Sequence, residues 1–243
     1  MSASDAELNF RFIYASLHAL LATTLLGSAA IIGACLRVPL QWLEAISWLW
    51  AHWILWGAGI RVRISGLEHL PPQPVVMIGN HQGLLDILAL IQNLPRPPVF
   101  VAKKELFSIP IFGPALHFLG HIPIDRKDSA KAIQSIQTGT AQLKKNNQQI
   151  VFFPEGTRTR DGSLGEFKKG AFVFALESHL PLVPFVIRGS YEALPPGKKI
   201  VRSGWIEIEF LSPIDTRDYP VAEKERLKTE IHDRIRDKLG QSA

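Results

Sequence analysis

A single cysteine, Cys35, in 243 residues excludes an internal disulfide and any metal site built from several thiolates. It lies in an apolar tract, where a thiolate is disfavoured, so it reads as a packing residue. Internal repeats and low-complexity tracts are absent too, which leaves one substantial globular domain with an appendage. Charge is missing altogether from Phe12 to Leu36, a run of 25 residues without Asp, Glu, Lys or Arg. About 20 apolar residues cross a bilayer core as a helix. A signal peptide has a shorter core and a small-residue cleavage site before a polar mature start. Here the tract instead meets Arg37-Val38-Pro39 and then a second apolar stretch, Leu40–Ile60.

That second stretch holds one acid, Glu44, and five of the six tryptophans: Trp42, Trp48, Trp50, Trp53 and Trp56. Tryptophan favours the membrane–water boundary, where the ring is apolar and its N–H stays wet. Residues 8–60 therefore read as two membrane-embedded helices joined near Pro39, the second partly interfacial. The alternative is a buried helical hairpin packed on the soluble part. The expected division is 1–60, a membrane-embedded two-helix segment, and 61–243, an α/β domain.

Lys+Arg 27 against Asp+Glu 22 gives +5 and a pI near 9.4. This balance suits nucleic acid, an anionic membrane surface or phosphorylated substrates, or serves solubility alone. Nucleic acid is not expected. The lysines are dispersed, and the aromatic residues gather in the amino-terminal tract rather than among basic clusters.

Past Arg61, short β-rich runs alternate with helical patterns. Strands are expected at Arg61–Ser65, Val75–Gly79, Val99–Ala102, His121–Ile124, Gln149–Phe153, Leu182–Ile187 and Trp205–Leu211. Helices are expected at Leu84–Leu94, at Leu106–Leu119 broken by Pro110 and Pro114, at Ser129–Lys145 and at Phe167–His179. A last helix carries Leu227, Ile231, Ile235 and Leu239, with Gly240 as its C-cap. The fold class is α/β: a largely parallel sheet flanked by helices, preceded by the membrane-embedded pair.

Two motifs carry the chemistry. Asn80-His81-Gln82-Gly83-Leu84-Leu85-Asp86 follows a strand. Five residues on a regular helix place side chains about 140° apart, so His81 and Asp86 meet only if His81 lies in the loop before the helix and Gly83 lets the backbone turn. Asp86 then fixes one imidazole nitrogen and leaves the other free to take a proton. The plainer alternative is a helix-capping Asp beside an ordinary His. Phe153-Pro154-Glu155-Gly156-Thr157-Arg158-Thr159-Arg160 also follows a strand and offers backbone N–H groups, a hydroxyl and guanidinium forks to an anion. Arg160 and Asp161 read equally well as solvated loop charges.

Lys103-Lys104 and Asp125-Arg126-Lys127 follow strands as well, and a parallel sheet brings all these clusters to the edge that carries His81. A strong candidate for a protein nucleophile is lacking, which points to direct acyl transfer onto a substrate hydroxyl. The remaining histidines have no metal-ligand spacing, and no metal is expected.

At these residues the chain resembles the glycerolipid acyltransferases, specifically the PlsC-type 1-acyl-sn-glycerol-3-phosphate acyltransferases. Four blocks occur in order: Asn80-His81-x4-Asp86; Gly120-His121-Ile122-Pro123-Ile124-Asp125-Arg126, with Pro123 where an aromatic is common; Phe153-Pro154-Glu155-Gly156-Thr157-Arg158; and Leu180-Pro181-Leu182-Val183-Pro184-Phe185. The resemblance spans roughly residues 40 to 211.

It implies that His81 is a general base for the 2-hydroxyl of lysophosphatidic acid, with Asp86 stabilising the imidazolium. It further implies that Lys103 and Arg158 grip the phosphate with Arg126 supporting, that Glu155, Gly156 and Thr157 shape that pocket, and that block four lines an acyl channel or supports the sheet. No cofactor is implied beyond an acyl-CoA or acyl carrier protein thioester as co-substrate. The implied setting is a membrane, at the cytoplasmic face of the inner or plasma membrane. Glycerol 3-phosphate or another lyso-lipid as acceptor, a thioester hydrolase, and a non-catalytic protein that binds anionic lipid are the competing readings.

Overall fold

The computed structural model of the chain describes residues 3–125 and 143–241. Arg126, Lys127 and most of the helix expected at Ser129–Lys145 lie outside the described residues; its end, 143–146, is helical.

Two long helices open the chain, α1 (Ala3–Cys35) and α2 (Leu40–Ala58). Between them Val38 donates its N–H to the Gly33 carbonyl at 3.0 Å. A β-carbon on Gly33 would stand 3.1 Å from Val38, so the tight reversal needs a bare backbone there. Small residues on the inner stripe of α1, among them Ala15, Ala19 and Ala22, let α2 approach. Gly57 faces the ring of His18, and Trp50 donates to Thr23 Oγ1 at 3.0 Å. Gly59 ends α2 with φ of 69°, a left-handed cap.

The outer stripe is unlike that of a soluble helix. Phe10, Leu17, Leu20 and Leu25 of α1 and Trp42, Trp48 and Trp56 of α2 are all exposed. Large apolar side chains exposed in such number on two neighbouring helices mark an interaction surface. Residues Glu7–Cys35 are long and apolar enough to cross a membrane, and only 11 % of their most apolar window is buried. Cys35 is exposed at the end of α1, so the packing role expected for it does not hold. Sequence context gave it an apolar neighbourhood, but it falls on the outward face.

Seven strands form one sheet: β1 (Ile60–Ser65), β2 (Val76–Gly79), β3 (Val99–Lys103), β4 (Ile122–Ile124), β5 (Ile150–Phe152), β6 (Leu182–Arg188) and β7 (Gly204–Phe210), in the order β1-β7-β6-β2-β5-β3-β4. The five strands β6-β2-β5-β3-β4 are all parallel, while β7 runs antiparallel to β6 and β1 parallel to β7. Alternation along each strand feeds two apolar layers. Val75, Met77, Val183 and Phe185 face α2 and helix α3 (Leu85–Asn93); Val76, Ile78, Leu182 and Val186 face helices α5 (Gly170–Ser178) and α6 (Lys224–Leu239). Each such side chain contributes about 1.5–3 kcal/mol by leaving water.

The inner face of α2 belongs to the first layer through Ala51, Ile54, Leu55 and Ala58. Glu44 is buried on that face and takes a two-pronged contact from Arg96, at 2.7 and 3.3 Å. Arg96 also donates to the carbonyls of Asn146 and Asn147, so the one acid of the tryptophan-rich stretch fastens α2 to the sheet domain.

The stretch expected as one broken helix is instead a 3₁₀ turn, Lys104–Ser108, followed by α4 (Phe112–Phe118). Pro114 does not break α4. It stands in the first turn, where its missing N–H has no helical partner to lose. Block four leads into β6 at the centre of the sheet, where Leu182, Val183, Pro184 and Phe185 are buried, so these residues support the sheet.

Candidate active site

In a parallel array the loops after the strands share one edge. Here that edge carries Asn80–Leu84 after β2, the Phe153–Arg160 loop after β5, Lys103 at the end of β3 and Asp125 after β4. Asn80 closes β2 with a side chain that imitates a strand: its Nδ2 donates to the Ile187 carbonyl at 2.8 Å and its Oδ1 accepts the Ile187 N–H at 2.7 Å. Position 81 is thereby fixed against β6 before the chain turns.

His81 lies in the loop ahead of α3, and its Nδ1 is 2.8 Å from Asp86 Oδ2. The same oxygen accepts the peptide N–H groups of Gln82 at 2.7 Å and Gly83 at 2.8 Å. Asp86 is fully buried at the positive end of α3, where a carboxylate is favoured. Gly83 has no positive φ. Its need for glycine is steric, since a β-carbon would stand 2.8 Å from Ser190 Oγ. That corrects the expectation that Gly83 supplies the turn. The His81 ring stacks on Phe153 at 4.1 Å and 15°. With Nδ1 held by Asp86, Nε2 is the nitrogen available to exchange a proton.

Glu155 departs from its expected place. Its carboxyl turns inward, accepting the His81 N–H at 2.8 Å and the Gly165 N–H at 3.2 Å. Burial is the main cause that pushes it up to about 7, with the Asp86 charge adding and the two N–H donors opposing. It holds the His81 backbone. The Thr159 N–H donates to the His81 carbonyl at 2.9 Å, so the β5 loop clamps both polar groups of the His81 peptide backbone.

Gly156 takes φ of 71°, a left-handed geometry that favours glycine. Thr157 is exposed, and Arg158 is partly buried and makes no ion pair among the described residues. The hydroxyl of Thr159 accepts the Gly162 N–H, and Asp161, held low chiefly by the Ser163 hydroxyl, folds the loop on itself. Asp161 is therefore a loop-forming residue. Arg160 is exposed, and its carbonyl accepts from Tyr191.

Lys103 is exposed and lies 3.5 Å from Glu105. The strand order puts its backbone two strands from the His81 line, about 10 Å, and one strand from the loop that carries Arg158. Lys104 pairs with Asp125 at 2.5 Å.

Beneath this edge lies an apolar cavity of about 90 Å³ between α1, α2, α3, α4 and β3. Leu26, Trp50, Phe100 and Leu116 line it, and Ile87 and Ala102, which adjoin Asp86 and Lys103, bring it toward the polar edge. His121 closes part of the wall. Burial draws its imidazole down to about 4, and its Nδ1 accepts the Phe100 N–H at 3.1 Å. Among the described residues no three His, Cys, Asp or Glu side chains gather as a metal site.

Sequence reasoning missed the inward carboxyl of Glu155, the clamp by Thr159 and the strand mimicry of Asn80. Only the pairing of β2 with β5 and β6 brings these partners together.

A buried carboxylate orients a histidine at the C-terminal edge of a parallel sheet, with cations on neighbouring loops and an apolar cavity beneath. The chain belongs to the Acyltransferase family, whose model matches residues 61–188. It is 38 % identical over 180 residues to a 1-acyl-sn-glycerol-3-phosphate acyltransferase of Limnanthes douglasii, covering 74 % of this chain and 64 % of that protein. To 1-acyl-sn-glycerol-3-phosphate acyltransferase alpha of Homo sapiens it is 36 % identical over 159 residues, covering 65 % of this chain and 56 % of that one. The chain thus spans about two thirds or less of the length of these relatives. The crystal structure of the 1-acyl-sn-glycerophosphate (LPA) acyltransferase PlsC from Thermotoga maritima superposes with a TM-score of 0.77 at 21 % identity, over 98 % of this chain and 99 % of that one. At that identity the likeness is one of fold.

Proposed function

We propose that the chain transfers a fatty acyl group from an acyl thioester to the 2-hydroxyl of lysophosphatidic acid, forming phosphatidic acid in phospholipid synthesis. The observation that carries this reading is the 2.8 Å contact from His81 Nδ1 to the buried Asp86 carboxylate. His81 Nε2 removes the hydroxyl proton as the oxygen attacks the thioester carbonyl, and Asp86 stabilises the imidazolium that forms. The tetrahedral intermediate collapses, an ester bond replaces the thioester bond, and the imidazolium returns the proton to the departing thiolate. A thioester is already activated, so a positioned base suffices.

Arg158 and Lys103 bind the acceptor phosphate with Arg126 supporting, and Gly156 and Thr157 shape the loop that presents Arg158. The donor is acyl-CoA or an acyl carrier protein thioester, and the apolar cavity receives part of its acyl chain. The exposed stripe of α1 and α2 seats residues 1–60 in the bilayer. Both lipids partition there, so a site held at the interface removes an extraction step. We place the 61–243 domain at the cytoplasmic face of the inner or plasma membrane, where thioester donors are soluble.

The test is purified full-length chain in lipid nanodiscs, given lysophosphatidic acid with each donor type. Wild type should form phosphatidic acid, and His81→Ala should lose it while staying membrane-bound. Substantial turnover by His81→Ala would remove His81 as the base. Failure of wild type with both donors would remove the acyl-transfer reading.

A further inference from the structure

The two lysines that precede α5 part company. Lys169 faces Glu225 of α6, whose carboxyl is held low chiefly by a hydrogen bond from Lys228, with Lys169 adding its charge. Lys168 turns the other way and lies along Gly156. A β-carbon built on Gly156 would stand 2.8 Å from Lys168 Nζ, 3.1 Å from Cε and 3.2 Å from Cδ. The peptide N–H of Lys168 donates to the Pro154 carbonyl at 2.8 Å, which ties the root of this side chain to the β5 loop. Position 156 favours glycine by its φ of 71°, and the end of the lysine side chain lies over it.

Among the described residues neither Lys168 nor Arg158, two positions beyond Gly156, forms an ion pair. Helix α5 begins beside Lys168 with no acidic residue in its first turn and no side-chain cap, and space is open at Gly170. A helix start normally attracts an acid or a capping hydroxyl, because its N–H groups are unsatisfied and its dipole is positive there. A lysine ammonium beside Gly156, an arginine two residues further along the same loop and an uncapped helix start after Lys169 form a setting in which an anion is favoured.

We propose that Lys168 is a further cation of the acceptor site, a specificity-determining residue that selects a phosphomonoester headgroup together with Arg158. This rests on the acyl-transfer reading above and deepens it. The ammonium contributes a point charge where the Arg158 guanidinium contributes a planar fork, so together they favour the dianion of a phosphomonoester over the single charge of a phosphodiester.

Two measurements on the full chain in nanodiscs test the assignment. In steady-state kinetics, Lys168→Met should raise KM for lysophosphatidic acid roughly 10- to 100-fold, the loss of one charge-assisted hydrogen bond. The kcat and the KM for the acyl donor should hold, Lys168→Arg should recover part of the loss, and Lys169→Met should behave as wild type. Separately, acetic anhydride labelling read by mass spectrometry should show Lys168 protected by glycerol 3-phosphate and Lys169 not.

An unchanged acceptor KM, a rise confined to the donor KM, or equal labelling of Lys168 with and without glycerol 3-phosphate would overturn the proposal. Protection of Lys168 in a protein that acylates no lysophosphatidic acid would keep the anion site and overturn the acyl-transfer reading instead.

Discussion

Glu155 holds a carboxyl oxygen 2.8 Å from the peptide nitrogen of His81. Its other oxygen takes the Gly165 N–H at 3.2 Å. Two converging donors specify a group with two acceptors, and an amide has only one. Glu155→Gln therefore turns an NH₂ toward one of these N–H groups and shifts the His81 loop. Because a small misplacement of a catalytic group is costly, kcat should fall roughly 10- to 100-fold, while KM for both substrates holds. The check is steady-state kinetics on each substrate in turn. A changed acceptor KM with full kcat would return Glu155 to the substrate pocket.

The same carboxyl makes stability depend on pH. Its folded value is raised to about 7 from an ordinary 4.5. A raised acid is favoured in its neutral form, so its contribution is complete below pH 4.5 and is lost as pH climbs through 7. The linkage amounts to about 3 kcal/mol between the two limits. Glu155→Gln lacks this slope. Denaturant unfolding of both proteins in detergent should show the variant less stable at pH 5 and its deficit shrinking by pH 8. A deficit constant across that range would mean that Glu155 does not titrate there.

His121 should show the opposite slope. Burial depresses its imidazole from 6.5 to about 4, so the neutral ring is what the fold accepts. Its contribution is complete above pH 6.5 and is lost as pH falls through 4, again about 3 kcal/mol in all. His121→Asn can keep an acceptor for the Phe100 N–H without the titration. Wild type should lose stability relative to this variant between pH 7 and pH 4.5. Parallel curves would assign the acid sensitivity to another group.

What could be read from the chain follows from how local each feature is. His81 and Asp86 lie five residues apart, so one loop and one helix start bring them together, and that pair was legible. The shared edge was legible too, because strands alternating with helices imply parallel neighbours. Glu155 was not. Its side chain turns inward only because β5 lies beside β2, a pairing between residues more than seventy positions apart. Lys168 looked like one of many dispersed lysines until Gly156 was seen beneath it. Pro114 was read as a break because composition alone does not separate a first turn from a helix interior. The parallel pairing of β1 with β7 has no local signal at all, since it joins Ile60–Ser65 to Gly204–Glu209.

The Asp86 carboxylate serves two purposes that substitution can separate. One oxygen takes three donors: His81 Nδ1 and the peptide N–H groups of Gln82 and Gly83. Asp86→Asn can present its amide oxygen to all three, so the loop should stay folded while the charge opposite the imidazolium is lost. The kcat should then fall by about 10³- to 10⁴-fold, as expected when an orienting carboxylate is neutralised, with a smaller loss of Tm than Asp86→Ala because only the new amide N–H groups, at the place of the unpartnered Oδ1, are left unpaired. Asp86→Ala removes the acceptor as well, leaving two buried peptide N–H groups without a partner. That should add an unfolding penalty of about 2–6 kcal/mol to a similar loss of activity. Circular dichroism melts set beside single-turnover rates would tell the two effects apart. Near-normal turnover by Asp86→Asn would reduce Asp86 to a helix-start acceptor and leave His81 to act without an electrostatic partner.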